Sequence, residues 1–245
     1  MQLPPSMTPR LPPAILFDLD DTILASGHRP AVLLHVAHEY AAHLGGLSPV
    51  DLADRLEAAF AEFWSDPERH KVGRFDLPTA RLGVIADVFA RSGAPQLSAD
   101  LAQAFADRFN ACREELMDFF PGALQAVVAL KAQGVRLALV TNGSAEVQRA
   151  KVERFSLAPL FDHIQIEGEH GFGKPEDRAY LHAMAALGVT PDQTWMVGDH
   201  LEWEVAAPQR LGIYAIWHDH LGQGLPPGSA IVPDRIIRSL SELLT

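Results

Sequence analysis

Four short, mostly apolar runs, each followed at once by polar or acidic residues, constrain the fold of this chain more than any other feature. They are AILF, VRLALV, TWMV and IYAIW, at residues 14–17, 135–140, 194–197 and 213–217. Short apolar runs bounded by turn residues are typical of strands buried on both faces of a parallel sheet. Amphipathic stretches with helix-start and helix-stop residues lie between them. We therefore predict an α/β fold, a doubly wound parallel sheet of the Rossmann-like kind with helices on both faces.

The interval between the first two runs departs from this alternation. Residues 25–119 contain long helical patterns, such as DLADRLEAAFAEFW and ADLAQAFADRFNACREEL, without a convincing strand. We predict that they form an inserted α-helical cap domain and that residues 14–24 and 120–245 form the core, after a loose N-terminal tail at residues 1–13. Because the insert begins just after the first strand, we expect it to act as a lid over the crevice beyond the carboxyl ends of the strands.

Composition and charge narrow the possible partners and the compartment. The formal net charge is −11 and the 20 Lys and Arg residues are scattered, so we expect no nucleic acid partner. No stretch approaches the ~18 apolar residues of a membrane helix, so we expect no membrane association. The single cysteine, Cys112, and an N-terminus unlike a secretory signal indicate a cytoplasmic protein. The sequence leaves the oligomeric state open.

The sequence DLDDT follows the first apolar run. On an extended chain Asp18, Asp20 and Thr22 project to the same side, so two carboxylates and a hydroxyl gather at the edge of the sheet. Close carboxylates repel each other unless a cation or a shared proton intervenes, and Mg²⁺ is the natural cation because it prefers a few carboxylates with water and phosphate oxygens. A solvated turn with helix-capping Asp and Thr is the alternative for this segment taken alone.

Three further segments, taken together with the one that contains DLDDT, favour a metal site over a solvated turn. The segments ILFDLDDTI, LVTNG, GKPEDRAY and VGDHLEWEV begin at residues 15, 139, 173 and 197. In this order they resemble the four motifs of the haloacid dehalogenase-like (HAD-like) hydrolases. The resemblance covers the core from Ala14 to about Leu225, with each motif at the end of a predicted strand or in a loop.

The resemblance implies specific roles for the first motif. Asp18 would be the nucleophile that attacks a phosphoryl group and forms an aspartyl-phosphate. Asp20 would be the general acid that protonates the leaving oxygen and later the base that activates water. Asp18 would also bind Mg²⁺ through its carboxylate, and Asp20 through its backbone carbonyl. Thr22, on the same side of the chain, is assigned to substrate binding.

The second and third motifs would bind the phosphoryl group. The hydroxyl of Thr141, the amide of Asn142 and the backbone of Gly143 would hold phosphate oxygens, since glycine permits close approach of the chain to a ligand. Lys174 would balance the charge of the nucleophile and of the transferring group. An ordinary strand-to-helix turn and a solvent-facing lysine are the alternatives for these segments in isolation.

The fourth motif would complete the metal site. Asp199 would be a direct Mg²⁺ ligand, held by the preceding apolar strand. The family usually continues with a second acid about five residues later, and here Glu204 stands at that position, with Glu202 as a competitor. Pro208 lies inside the helix expected next, so we expect that helix to start late or to bend.

Residues of the cap are expected to select the substrate. Lys71, Arg74 and Arg81 lie in the middle of the insert, and cations of this kind can recognise a phosphorylated ligand. Arg74 is our preferred candidate, while solvated surface charge is the alternative for all three.

Histidine is frequent, with 11 residues. His35 and His38 are three residues apart on a predicted helix, but without a further ligand pattern we assign them no metal. We also assign no catalytic role to His218, while His200 is expected near the site because it follows Asp199.

The predicted function is Mg²⁺-dependent hydrolysis of a small phosphorylated metabolite, a phosphomonoester, through an aspartyl-phosphate intermediate. A phosphomutase or a dehalogenase on the same fold and a non-catalytic binding or regulatory protein are the alternatives. Asp20 disfavours the dehalogenase, which has no ester oxygen to protonate. A pure binding protein would not need Asp18, Asp20, Thr141, Lys174 and Asp199 together.

Overall fold

The computed structural model describes residues 11–92 and 97–245, so most of the predicted N-terminal tail, residues 1–10, lies outside the described part. The chain divides into two compact units. Residues 25–118 form one of them, and residues up to 24 together with residues 119–245 form the other. No described helix is long and apolar enough to cross a bilayer. The predicted role of residues 25–119 as a lid stays a prediction.

The unit of residues 25–118 is helical. The helices among its described residues are α1 (Arg29–Glu39), α2 (Pro49–Ser65), α3 (Pro67–Gly73), α4 (Leu77–Arg91) and α5 (Ala99–Glu115). The side chains of Ser48, Asp66, Asp76 and Ser98 each accept a backbone N–H at a helix start, which satisfies donors that a helix cannot pair internally. Apolar faces of these helices share one core, including Leu33, Val36, Leu56, Phe60, Ile85, Phe89, Phe105 and Phe109.

The second unit is built on a six-stranded sheet. Its strands are β1 (Ala14–Phe17), β4 (Arg136–Thr141), β5 (His163–Ile166), β6 (Thr194–Gly198), β7 (Tyr214–His218) and β8 (Arg235–Ile237). They lie in the order β5-β4-β1-β6-β7-β8, and every neighbouring pair is parallel. The short strands β2 (Leu24–Ala25) and β3 (Asp118–Phe119) form a separate two-stranded sheet. The predicted α/β fold with a parallel sheet is confirmed.

Helices flank this sheet. They are α6 (Ala123–Ala132), α7 (Ala145–Arg154), α8 (Glu167–His170), α9 (Asp177–Leu187) and α10 (Ala207–Arg210). A six-residue π-helix, Leu201–Ala206, precedes α10. The helix expected after the fourth motif therefore begins directly after His200 and not late. Pro208 is the second residue of α10, and because the π-helix runs directly into α10, the missing N–H of Pro208 removes one intrahelical hydrogen bond. The irregularity expected from Pro208 is therefore a widened turn before it.

The register of the sheet sets the place of the site. Phe17 of β1 is opposite Leu139 of β4 and Val197 of β6, and the N–H of Asp18 donates to the carbonyl of Val197 at 3.0 Å. The carboxyl ends of the three central strands therefore meet at one edge. In open parallel sheets this edge is where ligands bind.

Candidate active site

A buried group of three charges lies at this edge. The Lys174 Nζ is 2.5 Å from Asp18 Oδ1 and 2.7 Å from Glu204 Oε1. Lys174 and Glu204 are each 1% exposed and Asp18 is 7% exposed. Burial by itself lowers the pKa of Lys174, but the two carboxylates outweigh it and raise that pKa above its ordinary value. The ammonium is therefore charged and holds the predicted nucleophile in one orientation.

The backbone of Lys174 is fixed by Asn142. The Asn142 side-chain amide donates to the Lys174 carbonyl at 2.7 Å, and its oxygen accepts the Lys174 N–H at 2.9 Å. A Cβ on the preceding Gly173 would lie 2.5 Å from Asn142 Oδ1, so only glycine permits this approach. Gly143 donates its N–H to Glu167 Oε2 at 3.0 Å. Asn142 thus holds the second and third motifs together, and Gly143 ties the second motif to α8. Their predicted contacts with phosphate stay predictions.

Asp20 is bound by side chains of α7. Lys151 Nζ lies 2.6 Å and 2.8 Å from the two carboxylate oxygens of Asp20. Gln148 Nε2 donates to Asp20 Oδ2 at 2.8 Å and to Thr141 Oγ1 at 2.5 Å. Sequence reasoning missed both α7 residues. Their spacing of three places them on one face of the helix, but a Gln and a Lys in a polar helix look like solvent-facing residues.

The turn after β1 is held by several contacts. Thr22 donates its hydroxyl to Asp18 Oδ2 at 3.2 Å, so this residue contacts the nucleophile. Asp21 adopts a left-handed conformation with φ of 56°, which Asp tolerates better than most residues. The ring Nδ1 of His218 is 3.2 Å from the Asp21 carbonyl and donates to it. His218 thus supports the first motif from β7.

The acidic residues of the site carry more negative charge than the structure neutralises. Burial raises the pKa of Asp18 to about 6, opposed by Lys174 and reinforced by Glu204. Burial also raises the pKa of Asp199 well above its usual value, and Glu204, Asp18 and Asp21 add to the effect. Asp18, Asp199 and Glu204 together face one buried ammonium, so a divalent cation would balance them. The donor set of carboxylate and carbonyl oxygens fits Mg²⁺.

Glu204 is folded back under the end of β6. A Cβ on Gly198 would lie 2.0 Å from Glu204 Cγ, so glycine is required there. The two carboxylate oxygens of Glu204 contact Lys174 and the N–H of His200, the latter at 2.8 Å. The competing Glu202 pairs with Arg210 at 2.9 Å and is exposed to solvent. Of the two acids, Glu204 is the one in the site, and its predicted metal contact stays a prediction.

The predicted substrate-selecting cations lie in the helical unit. Arg74 is half-buried after α3, with its guanidinium 5.9 Å from the ring centre of Phe75. Arg81 donates to Asn110 Oδ1 at 2.7 Å, and Lys71 is exposed. Substrate contact by Arg74 stays a prediction.

Comparison with known proteins places this fold and site in a family. A model of the haloacid dehalogenase-like hydrolases matches residues 12–212. The phosphoserine phosphatase of Thermus thermophilus is 34% identical over 189 residues, which cover 77% of this chain and 68% of that protein. The glyceraldehyde 3-phosphate phosphatase of Methanopyrus kandleri is 29% identical over 206 residues, which cover 83% of this chain and 82% of that protein.

A solved structure extends the likeness to both units. The HAD-hydrolase YfnB of Bacillus subtilis, described as bound to magnesium, matches with a TM-score of 0.71 at 23% identity. The match covers 94% of this chain and 96% of that one, and at this identity it shows the fold. The chain belongs to the haloacid dehalogenase-like hydrolases. The relatives from Thermus thermophilus and Methanopyrus kandleri are both phosphatases. The predicted enzyme class, a hydrolase of phosphomonoesters, is therefore confirmed.

Proposed function

We propose that the protein hydrolyses a small phosphomonoester with Mg²⁺ as its cofactor, through an aspartyl-phosphate on Asp18. The observation that carries this proposal is the pair of contacts on that carboxylate. Lys174 holds one oxygen and Thr22 holds the other, at the edge of the sheet where ligands bind. A carboxylate fixed in this way is preorganised to attack a phosphorus atom.

The first half of the reaction transfers the phosphoryl group. A carboxylate oxygen of Asp18 forms a bond to phosphorus while the bond from phosphorus to the ester oxygen breaks. Asp20 gives its proton to the departing oxygen, so the alcohol leaves neutral. Lys174 and the Thr141 hydroxyl stabilise the charge on the transferring group. Thr141 accepts a hydrogen bond from Gln148 and donates its hydroxyl to the Asn142 carbonyl at 3.5 Å. Because that donated bond is long and therefore weak, the hydroxyl can exchange it for a phosphoryl oxygen.

The second half releases phosphate. Asp20, now a carboxylate, removes a proton from a water molecule that attacks phosphorus and breaks its bond to Asp18. Inorganic phosphate leaves and Asp18 is regenerated. Bound Mg²⁺ would supply positive charge to the phosphoryl oxygens, with the carboxylates of Asp18 and Asp199 and the carbonyl of Asp20 as its protein ligands. The contacts of Glu204 favour a role in holding Lys174.

Proton transfer requires Asp20 to change partners. Its carboxylate accepts hydrogen bonds from the Lys151 ammonium and from Gln148, and such bonds favour the charged form. Asp20 therefore needs to exchange Lys151 for the ester oxygen before it can donate a proton. Lys151 would hold Asp20 between turnovers.

The experiment that tests the function is an assay of phosphate release from a panel of small phosphomonoesters, with Mg²⁺ or with a chelator. We expect release that requires Mg²⁺, is abolished in Asp18→Asn and is unchanged in Asp54→Asn, a matched control at an exposed position of α2. Chloride release from a 2-haloacid would support the dehalogenase instead. Phosphate moved within a sugar phosphate without release would support the mutase. If folded protein shows none of these three activities, the remaining alternative is a non-catalytic binding or regulatory protein.

A further inference from the structure

Three histidines meet on the α/β unit at its edge strand. His163 begins β5, His170 ends α8 and His182 lies in α9. One ring nitrogen from each lies within 4.8 Å of those of the other two, and the ring centres of His170 and His182 are 4.9 Å apart. We propose that these residues form a second metal site, for a divalent ion that prefers nitrogen ligands, such as Zn²⁺. The proposal is independent of the proposed function.

Hydrogen bonds set two of the rings in the form that binds metal. His170 Nδ1 is 3.1 Å from the carbonyl of Ile166 and donates to it. His182 Nδ1 is 2.8 Å from Gln165 Oε1. Gln165 is buried and donates its amide to the Ala179 carbonyl at 2.9 Å, which fixes its oxygen as the acceptor. Each Nε2 therefore carries a lone pair, in the arrangement that metal-binding histidines commonly show.

The third ring has an unused nitrogen. His163 Nε2 is buried and has no hydrogen-bond partner among the described residues. A buried polar atom without a partner costs free energy. Burial and the two neighbouring histidines also lower the pKa of His163, so its ring is neutral, as a ligand must be. A metal ion bound through Nε2 would give this nitrogen a partner.

The donor set distinguishes this site from the acidic one. Three imidazoles suit Zn²⁺, Ni²⁺, Co²⁺ or Cu²⁺, whereas Mg²⁺ prefers oxygen. Tetrahedral zinc holds nitrogens at about 2.0–2.1 Å, which places them roughly 3.4 Å apart. The three nitrogens are now at most 4.8 Å apart, so zinc binding would shorten their separations by up to about 1.4 Å. His182 is exposed, so its side chain can make this movement and solvent can supply a fourth ligand.

The histidine site lies at both ends of the loop that carries Lys174. His170 is four residues before Lys174, and α9, which carries His182, begins three residues after Lys174. A metal ion shared by α8 and α9 would tie together the two ends of the loop that carries Lys174. We expect bound Zn²⁺ to raise the midpoint of thermal unfolding, because the folded chain holds three imidazoles close together and binds the ion more tightly than the unfolded chain does.

The test uses full-length protein without a histidine tag, with Mg²⁺ in excess to occupy the acidic site. Zn²⁺ is titrated by calorimetry, and Co²⁺ by the visible absorption that four-coordinate nitrogen ligation produces. We expect one equivalent of each ion to bind. His182→Gln should weaken binding by more than the ~10–100-fold that loss of a ligand's hydrogen-bond partner costs, and His170→Gln should do the same. His38→Gln, an exposed histidine of α1, should bind as the wild type does.

A second variant separates the two metal sites. Asp199→Asn removes a proposed Mg²⁺ ligand and should leave the Zn²⁺ and Co²⁺ titrations unchanged. His182→Gln should leave Mg²⁺-dependent phosphate release unchanged when no zinc is present. Zinc binding that survives in His182→Gln and is lost in Asp199→Asn would overturn the proposal, as would no binding by the folded wild type.

Discussion

The two units of the chain place their charges differently. In the α/β unit, Asp18, Lys174 and Glu204 lie almost wholly inside. In the helical unit, the described core is apolar, and ion pairs such as Arg29–Glu57 keep about 30% of each side chain exposed. Burying charges costs more free energy than a well-packed apolar core would. The difference indicates that the buried charges of the α/β unit serve a reaction. The exposed charges of the helical unit contribute to solubility and, to a small extent, to stability.

Replacement of the nucleophile should give the largest effect on activity. We expect Asp18→Asn to lower the rate of phosphate release by at least about 10⁴-fold, the scale seen when a covalent nucleophile is removed. The free energy of unfolding should fall little at neutral pH, since the amide keeps the shape and removes a buried charge. Turnover assays and denaturant unfolding on the same preparation measure both. Large losses in both would mean that Asp18 serves the fold.

Removal of the buried ammonium tests whether buried charges of the α/β unit matter more for stability than ion pairs of the helical unit. Lys174→Met leaves Asp18 and Glu204 without their cation, and breaking such a buried pair costs about 3–5 kcal/mol. Arg29→Gln, which breaks a partly exposed pair of the helical unit, should cost less than about 1 kcal/mol. Denaturant unfolding gives both free energies. Equal costs would contradict the contrast between the units.

A pair of glycine substitutions tests the packing around the site. Gly198→Ala forces Glu204 to move, and we expect a loss of about 1–3 kcal/mol from overpacking together with reduced turnover. Gly83→Ala, in α4, meets no atom within 4 Å and should stabilise the protein by about 0.5–1 kcal/mol. Thermal unfolding and phosphate release are the measurements. A harmless Gly198→Ala would mean that Glu204 is not fixed as described.

The dependence of stability on pH should give the smallest effect. The pKa of Asp18 is raised to about 6 and that of Asp199 is also raised, so the folded state holds protons that the unfolded state releases. In chelator, stability from these groups is therefore greatest at low pH and falls as pH rises from about 4 through about 6. Mg²⁺ should reduce this fall. Denaturant unfolding at pH 4.5 and pH 7 tests it. Asp18→Asn should show a smaller fall between these two pH values than the wild type, and an equal fall would contradict the prediction.

Apolar patterning sufficed to predict the strands at the centre of the sheet. It did not predict β5 and β8, because HIQI and RII are short and partly polar. These are the end strands of the sheet, where neighbours bury less surface. The predicted fold class needed only the buried strands, and it is confirmed.

The site was less accessible to prediction from sequence. Asp18, Thr22 and Lys174 were found by their motifs, and the structure brings them together. The contacts of Lys151 and Gln148 with Asp20 were missed because they come from tertiary packing of α7. The three histidines lie 7 and 12 residues apart on three elements, a spacing that no single helix or strand repeats.

In the proposed reaction, Asp18 carries the phosphoryl group during turnover. The most direct test is rapid quenching of the enzyme mixed with a labelled phosphomonoester and Mg²⁺, followed by mass spectrometry of its peptides. We predict an acid-stable phosphoryl group on Asp18 that forms and decays at the rates of turnover and is absent from Asp18→Asn. Phosphate release at full rate with no label on Asp18, or with the label on another residue, would mean that Asp18 is not the nucleophile.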